Sequence, residues 1–372
     1  MRRIVTLLLL ATVLMAPFTV HAKEAATDTA SSDLNFKEIV LEHIGDSYWW
    51  HIVTTKSGKE IVVHLPVIAR SKSTGWHCFS SSHIMHGAEY QGFSIAVDGK
   101  HKGKIVEKQP DGTLVKPFDI SITKTALGLM FNALVVIILI MIPSLWYRRH
   151  TKLEDTPHGF AGIIEWLIVS ILDGVIKPCV GPHYRKFAPF LLTLFFFIFI
   201  SNILGLIPLF PAGANVTGNI AITFVLALAA FIAINIFGTK EHYKSIFWPD
   251  VPIFLKAPLP IMQIIEFMGM LTKPFALMVR LFANIMAGHS IILIITCIIF
   301  ATVKSGAAVN TTMTGISLFL MVFMNILELL VAFIQAYVFT MLTSLFIGFA
   351  QGEEEGTKPK RTKKIITNNL KN

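Results

Sequence analysis

The stretch ALGLMFNALVVIILIMIPSLWY, residues 126–147, contains no charged side chain. At about 1.5 Å of rise per residue, a helix of this length covers the roughly 30 Å hydrocarbon core of a bilayer. Arg148, Arg149 and Lys152 follow at once, and flanking cations of this kind mark the cytoplasmic end of a span. The composition agrees: 53% of the 372 residues are hydrophobic and 15% are charged, which puts most of the mass in lipid. The net charge of +9 sits in short runs beside apolar spans and forms no basic domain, so nucleic-acid binding is set aside.

Upstream, residues 1–22 read MRRIVTLLLLATVLMAPFTVHA: a basic start, a short apolar run and small residues near Ala22. This is the pattern of a signal peptide. The alternative, an extra transmembrane helix, fits less well, because the run stops at Pro17 and polar KEAATDTASSD follows. The mature chain is expected to begin near Lys23, outside the cytoplasm, which matches the orientation read from Arg148 and Arg149. Residues 23–125 are expected to form a small β-rich exported domain, with runs such as EIVVHLPVIA and GFSIAVDG and turns at Asp98-Gly99 and Asp111-Gly112. Cys78 is the one cysteine there, so no intrachain disulfide framework is implied, and His77, His83 and His86 lack metal-ligand spacing.

Downstream, GFAGIIEWLIVSILDGVIKP carries Glu165, Asp173 and Lys177 at helical spacing, as an amphipathic helix lying along the membrane would. Residues 187–209 are expected to span outward to the turn FPAGANVTGN, and 221–237 to return to Lys240, Glu241 and Lys244. Two long apolar stretches follow, about 260–303 and 313–350, joined by KSGAAVNTT. Each exceeds one perpendicular span and must tilt or bend, with Pro274 placed to kink the first. The fold expected is an all-α polytopic membrane protein with about five membrane-embedded helices and one interfacial helix. The last two helices form a long tilted hairpin, and the β-rich domain precedes the membrane part. The membrane domain is read as 126–350, and the charged tail, 351–372, is expected to be cytoplasmic.

Ionisable residues inside apolar helices are costly and mark function by default. Here they are Lys273, Arg280, His289 and Glu328, with Glu266 near the start of the first stretch. On an ideal helix Lys273, Arg280 and Asn284 share a stripe, and His289 faces roughly the other way. Glu328 and Gln335 share a face of the second helix, with Asn325 nearby. In an antiparallel hairpin His289 and Glu328 fall at one depth, and Arg280 and Gln335 at another. Arginine keeps its proton but can attract and release a carboxylate on a moving partner, whereas histidine and glutamate can both titrate along a hydrated path. Blander readings stand beside these: a bundle-tying hydrogen bond for His289 and Glu328, and snorkelling for Arg280 and Lys273.

The segments KPFALMVRLFANIMAGHSIILI (273–294) and ELLVAFIQAYVFTML (328–342) resemble ATP synthase subunit a, with weaker similarity in FLLTLFFFIFISNILGLIPL and ANVTGNIAITFVLAL. The resemblance implies a stator against which a ring of carboxylate-bearing c subunits turns, with peripheral-stalk b subunits, the lipid bilayer and transported H⁺ as the other partners. It further implies that Arg280 is the essential arginine and that Asn284 and Gln335 are polar neighbours. His289 and Glu328 match the pair associated with the half-channel open to the exported side. Candidate channel lining is Asn202, Asn215, Asn325 and Lys273. Some members carry an acidic residue where this chain has Gly205, so no carboxylate is assigned there. No cofactor, metal or catalytic residue is expected, and no GxxxxGK[ST] loop for direct nucleotide binding is present. The localisation implied is the inner cell membrane. An ion transporter lacks its expected inverted repeats here, and for an intramembrane protease at His289-Ser290 no second catalytic acid is evident.

Overall fold

The computed structural model describes residues 45–54, 60–71, 74–96, 101–109, 113–150, 157–207, 213, 215–247 and 261–351. The signal-peptide reading of 1–22, the turns at Asp98-Gly99 and Asp111-Gly112, and the tail from 352 onward lie outside the described residues.

The N-terminal part contains three small antiparallel sheets. Strands β1 (Trp49–Thr54) and β2 (Glu60–His64) form one. In the second, β3 (Pro66–Ser71) lies between β4 (Gly75–Ser80) and β8 (Phe118–Asp119). The third runs β5 (Phe93–Ile95), β6 (Ile105–Lys108), β7 (Leu114–Val115). The run EIVVHLPVIA, expected as one strand, is split at Leu65 between two sheets. Leu65 is pinned from both sides, since its N–H donates to Ser81 Oγ (3.1 Å) and its carbonyl accepts from Ser81 N (3.0 Å). Along β3 the inward residues Val67 and Ala69 alternate with outward ones, the period that half-burial of a strand requires. They meet Tyr48, Phe79, Ile84, Phe93 and Ile105 in a local core. Tyr48 donates its hydroxyl to Asp119 Oδ2 at 2.6 Å, and burial, then the Asp119 carboxylate, pushes its phenol above the usual tyrosine range.

Helix α1 (Lys124–Arg149) grows directly out of this domain. Thr123 Oγ1 accepts from Ala126 N (3.3 Å), and Asp46 Oδ1 accepts from both Thr125 N (3.0 Å) and Thr125 Oγ1 (2.8 Å). These bonds satisfy amide hydrogens that a helix start leaves unpaired. The stretch expected to lie along the membrane folds as α2 (Phe160–Ile171), a π-turn (Leu172–Ile176) and α3 (Lys177–Val180). Its exposed stripe is Phe160, Ile163, Trp166 and Val169, with Ala161, Ile164 and Ile171 buried opposite. Gly181, at φ 75°, turns the chain into α4 (Tyr184–Leu206) through the 3₁₀ turn Gly181–His183. Helices α5 (Ile220–Ile236) and α6 (Lys240–Phe247) follow, then α7 (Ile261–Ala301) and α8 (Ala307–Ala350).

Four helical segments are long and apolar enough to cross a membrane: Lys124–Arg149, Phe160–Leu206, Gln263–Ala301 and Ala307–Ala350. Helix α5, with 17 residues, is a shorter apolar helix. Half of the most apolar window in Phe160–Leu206 is buried within the chain, against 11% in α7 and 22% in α8, so α4 is the packing centre. Its Leu191, Phe195 and Ile198 are fully enclosed, with Phe195 against Phe333 of α8. The two longest helices leave most of their apolar surface uncovered.

At about 1.5 Å per residue, α7 and α8 each run roughly 60 Å, twice a bilayer core, so both must tilt strongly. Helix α7 continues unbroken through Pro274. The polar joint KSGAAVNTT is shorter than its composition suggests, because 307–312 already belong to α8. There Thr311 and Thr312 donate their hydroxyls back to the carbonyls of Ala307 (2.9 Å) and Ala308 (3.0 Å), which lets polar residues continue the helix.

The far end of α8 is fastened tightly. Ala350 O accepts from Thr239 N (2.8 Å), and a Cβ added at Gly348 would lie 2.0 Å from the Cys179 carbonyl oxygen. Gly348→Ala is therefore expected to destabilise the detergent-solubilised chain by about 1–3 kcal/mol, read as a lower unfolding temperature. Gly315→Ala on the same helix, where the added carbon meets nothing within 4 Å, is expected to leave that temperature unchanged or raise it slightly.

Candidate functional site

The geometry starts at the hairpin turn. The 3₁₀ turn Thr302–Ser305 and Gly306, at φ 97°, reverse the chain, and Thr302 Oγ1 donates to Asn310 Oδ1 at 3.1 Å across the turn. This fixes the register in which two long helices descend side by side. Deeper in, that register brings His289 on α7 against Glu328 on α8, with Nδ1 and Oε1 sharing a hydrogen bond at 2.6 Å. At the far end Lys273 Nζ lies 5.1 Å over the Phe346 ring, within a few residues of the end of α8.

Glu328 is 5% exposed, and its second oxygen, Oε2, has no hydrogen-bond partner among the described residues. A carboxylate so enclosed is expensive to ionise alone, and the short bond to an imidazole is what makes its charge or its proton tolerable there. Space for it is supplied by Gly288, where an added Cβ would fall 2.8 Å from Glu328 Oε1.

A second polar layer adjoins this pair from α4. Asn202, buried, donates from Nδ2 to the carbonyl of Ala332 at 3.4 Å, one helical turn beyond Glu328, and its Oδ1 accepts from Thr217 at 2.8 Å. Beside it Ser201 accepts from Asn132 Nδ2 of α1 at 3.0 Å, and both are buried. In the α4–α5 loop Asn215 Oδ1 accepts from Gly218 N at 2.9 Å, while its Nδ2 is buried with no partner among the described residues. Buried polar atoms left in this state call for water.

Arg280 stands apart from that cluster. It is exposed, forms no hydrogen bond or ion pair with any described residue, and its exposed neighbours one turn away on α7 are the small Ala276 and Ala283. Leu277 and Leu281, on the flank of that face, are buried in the core. Asn284 is half-buried one turn on, and Gln335 is buried on α8, but no bond links Gln335 to Arg280. Asn325 is bonded to its own helix through Met321 O at 2.8 Å. Thus His289 meets Glu328 and Asn202 lies near them, while Arg280 and Gln335 share only an approximate depth.

At the opposite end of α7, Lys273 and Glu266 act on His242 of α6. That imidazole is held below its usual range, first by burial and then by the Lys273 charge, with Glu266 opposing. Among the described residues no three His, Cys, Asp or Glu side chains converge as metal ligands would.

Sequence reasoning missed Gly288, Asn132, Thr217 and His242 as contributors. Gly288 was visible within the quoted motif, and Asn132 is the one asparagine in the otherwise apolar α1, itself a signal. Nothing in the sequence announced that Thr217 folds back onto Asn202.

The profile of the family described as ATP synthase A chain matches residues 129–348, which include every ionisable and amide side chain just placed on α4, α7 and α8. A second profile, described as a domain of unknown function, matches residues 39–124. An ATP synthase subunit a of Chlorobium phaeobacteroides is 36% identical over 304 residues, covering 79% of this chain and 86% of that protein. One of Chloroherpeton thalassium is 37% identical over 243 residues, covering 64% and 69%. Another, from an Anaeromyxobacter species, is 31% identical over 334 residues, covering 87% and 73%. With the family profile spanning more than half of its length, and with a relative at this identity along most of both sequences, the chain belongs to the ATP synthase A chain family.

Proposed function

We propose that this chain is the proton-conducting stator of an F-type ATP synthase, holding two offset half-channels against a rotating ring of c subunits and coupling proton flow to rotation through Arg280. The observation that carries the proposal is the separation of chemistries on α7: a permanent cation on an exposed apolar face, and on another face a buried titratable pair at 2.6 Å. The uncovered apolar surface around Arg280 suits a membrane-embedded partner, and a ring subunit carrying one carboxylate supplies the charge that Arg280 lacks among the described residues.

In this mechanism a proton from the exported side reaches His289 and Glu328 through the polar layer of Asn215, Thr217 and Asn202. The shared proton can sit on either partner with the pair net neutral, and when it leaves for the ring a proton from the exported side replaces it. The proton moves to a ring carboxylate, which then turns into the bilayer in its neutral form. A protonated carboxyl group returning from the other side gives up its proton toward the cytoplasm and meets Arg280 as an anion. Arg280 stabilises that anion but cannot itself relay the proton, which blocks direct leakage between the half-channels. Asn284 and Gln335 line the approach to it, Asn325 stands beside Glu328 in the outer path, and Lys273 anchors the cytoplasmic end. No covalent step is required, and the chain is not itself an enzyme.

The same reading assigns residues 1–22 to a signal peptide, 23–125 to the exported domain, 126–350 to the membrane domain and 351–372 to a cytoplasmic tail. The protein sits in the inner membrane, with b subunits of the peripheral stalk as further partners. Arg148 and Arg149 at the end of α1, and the β-rich domain at its start, support this orientation.

Arg280→Ala is expected to abolish ATP synthesis and ATP-driven proton pumping in complexes that still co-purify with the c-ring, and normal pumping by that variant would sink the assignment. Exchanging the pair, His289→Glu with Glu328→His, should retain more synthesis than either single change, whereas simply additive losses would show that the two act separately. Gly288→Ala should lower synthesis at least severalfold with the complex intact, because the new methyl group displaces the Glu328 carboxyl from His289; wild-type rates would mean that the recess is immaterial.

A further inference from the structure

We propose that the β-rich domain is a wall of the outward-facing proton path, and that Trp50 positions the loop that forms the path's mouth. The inference rests on the functional reading above and adds a role for residues outside the ATP synthase A chain match.

Three observations carry it. The first is that the domain is joined rigidly to the membrane part. Ile122 N donates to Pro66 O (3.2 Å) and Lys124 N to Ser47 O (2.8 Å), so sheet hydrogen bonding runs directly into the first turn of α1. A tethered, independently moving domain would need a stretch of unpaired backbone there.

The second is the contact itself. Trp50, 5% exposed, packs against fully buried Val216 of the α4–α5 loop, and Val63, Leu127, Leu129 and Ile222 close around the pair. Lys124 Nζ lies 5.8 Å from the Trp50 ring centroid, a cation over an aromatic face that also holds the indole in place. A buried indole is large and has few rotamers, so it sets the height of whatever rests on it.

The third is what Val216 is attached to. Its neighbour Thr217, 1% exposed, donates to Asn202 at 2.8 Å, and Asn202 reaches the α8 backbone one turn from Glu328. Its other neighbour, Asn215, turns a buried and unpartnered amide nitrogen inward. The contacts thus run without a break from Trp50 through Val216, Thr217 and Asn202 to the helical turn that carries Glu328. If Trp50 is removed, the loop loses its fixed height, and the polar path between the exported side and the His289–Glu328 pair loses its geometry. The titratable groups along this path are His289 of α7 and Glu328 of α8. Helix α4 and the loop add neutral Ser201, Asn202, Asn215 and Thr217, and α1 adds neutral Asn132 with Lys124 at the mouth.

The test uses assembled complexes in sealed vesicles. ATP synthesis is measured against proton concentration on the exported side with the cytoplasmic side held constant, then in the converse arrangement. Trp50→Ala is expected to raise the half-saturating proton concentration on the exported side by about threefold. The rate at saturating protons and the response to the cytoplasmic side should stay close to wild type, and Trp50→Phe should restore most of the shift. An unchanged half-saturation, an equal shift on both sides, or a lower maximal rate alone overturns the proposal, the last because it is what a purely structural prop would give. Should Trp50→Ala fail to accumulate, Val216→Ala trims the same contact from the other side and is read by the same criteria. Coupled transport in Arg280→Ala would remove the underlying functional reading. A wild-type profile for Trp50→Ala beside an inactive Arg280→Ala would remove this inference alone.

Discussion

Enclosing Glu328 between membrane helices is the constraint on which the surrounding structure depends. A carboxyl group in such a place needs a partner at hydrogen-bond distance, room for its oxygens and a polar route to water, or it would empty the site by its desolvation cost. Two of these needs are met by neighbouring residues of α7 and the third from α4 and the loop after it. His289 supplies the partner at 2.6 Å, Gly288 supplies the room, and Asn202 with Thr217 supplies polar atoms one turn away. The first two are set by the register of α7 against α8, which the tight turn at Gly306 and the Thr302–Asn310 bond begin and the Lys273–Phe346 contact finishes. A small change at either end of the hairpin would be felt at its centre, because close-packed helices slide in steps and do not drift.

Arg280 obeys the opposite rule. It is placed where no described residue neutralises it, on an apolar surface that the described residues leave uncovered. Within one protein this is an unfavourable arrangement, since an unpaired guanidinium facing lipid gains nothing from its surroundings. It becomes favourable when a partner brings a carboxylate of its own, and then only for as long as that carboxylate is ionised. On the proposed reading the same helix carries one site that is complete by itself and one that a neighbour completes. In the proposed mechanism this asymmetry is what makes rotation sensitive to protonation.

Much of this was legible in the sequence, because membrane helices announce themselves through long uncharged runs and because ionisable residues within them are few. The spans around 126–147, 187–209 and 221–237 correspond to α1, α4 and α5 to within a few residues. Antiparallel counting put His289 and Glu328 at one depth, and there the two share a hydrogen bond. What escaped were features that depend on tertiary neighbours. The polar 307–312 segment looked like a turn but is helical, since threonine hydroxyls can bond their own helix and polarity is not the same as a break. The run through Leu65 looked like one strand, but reciprocal bonds to Ser81 move the chain from one sheet to another. Gly288 and Thr217 were unreadable for a similar reason: a recess and a fold-back are defined by what comes to occupy them.

The distance between the two sites limits how a proton can travel. His289 lies nine residues beyond Arg280, about 13 Å along the helix axis and on roughly the opposite face. No direct transfer covers such a gap, since a proton passes only between groups in hydrogen-bond contact or through water. In the proposed mechanism the ring carboxylate must therefore be loaded either at the level of the pair or through waters held between the two levels. The polar side chains available for that are Asn284, half-buried one turn past Arg280, and Gln335, buried two turns past Glu328. Both are neutral, can donate and accept, and cannot trap the proton as a further histidine or carboxylate would. In the proposed mechanism a relay built only from amides and water leaves the titrating steps to the His289–Glu328 pair and to the ring, and leaves Arg280 as a fixed charge between the two half-channels.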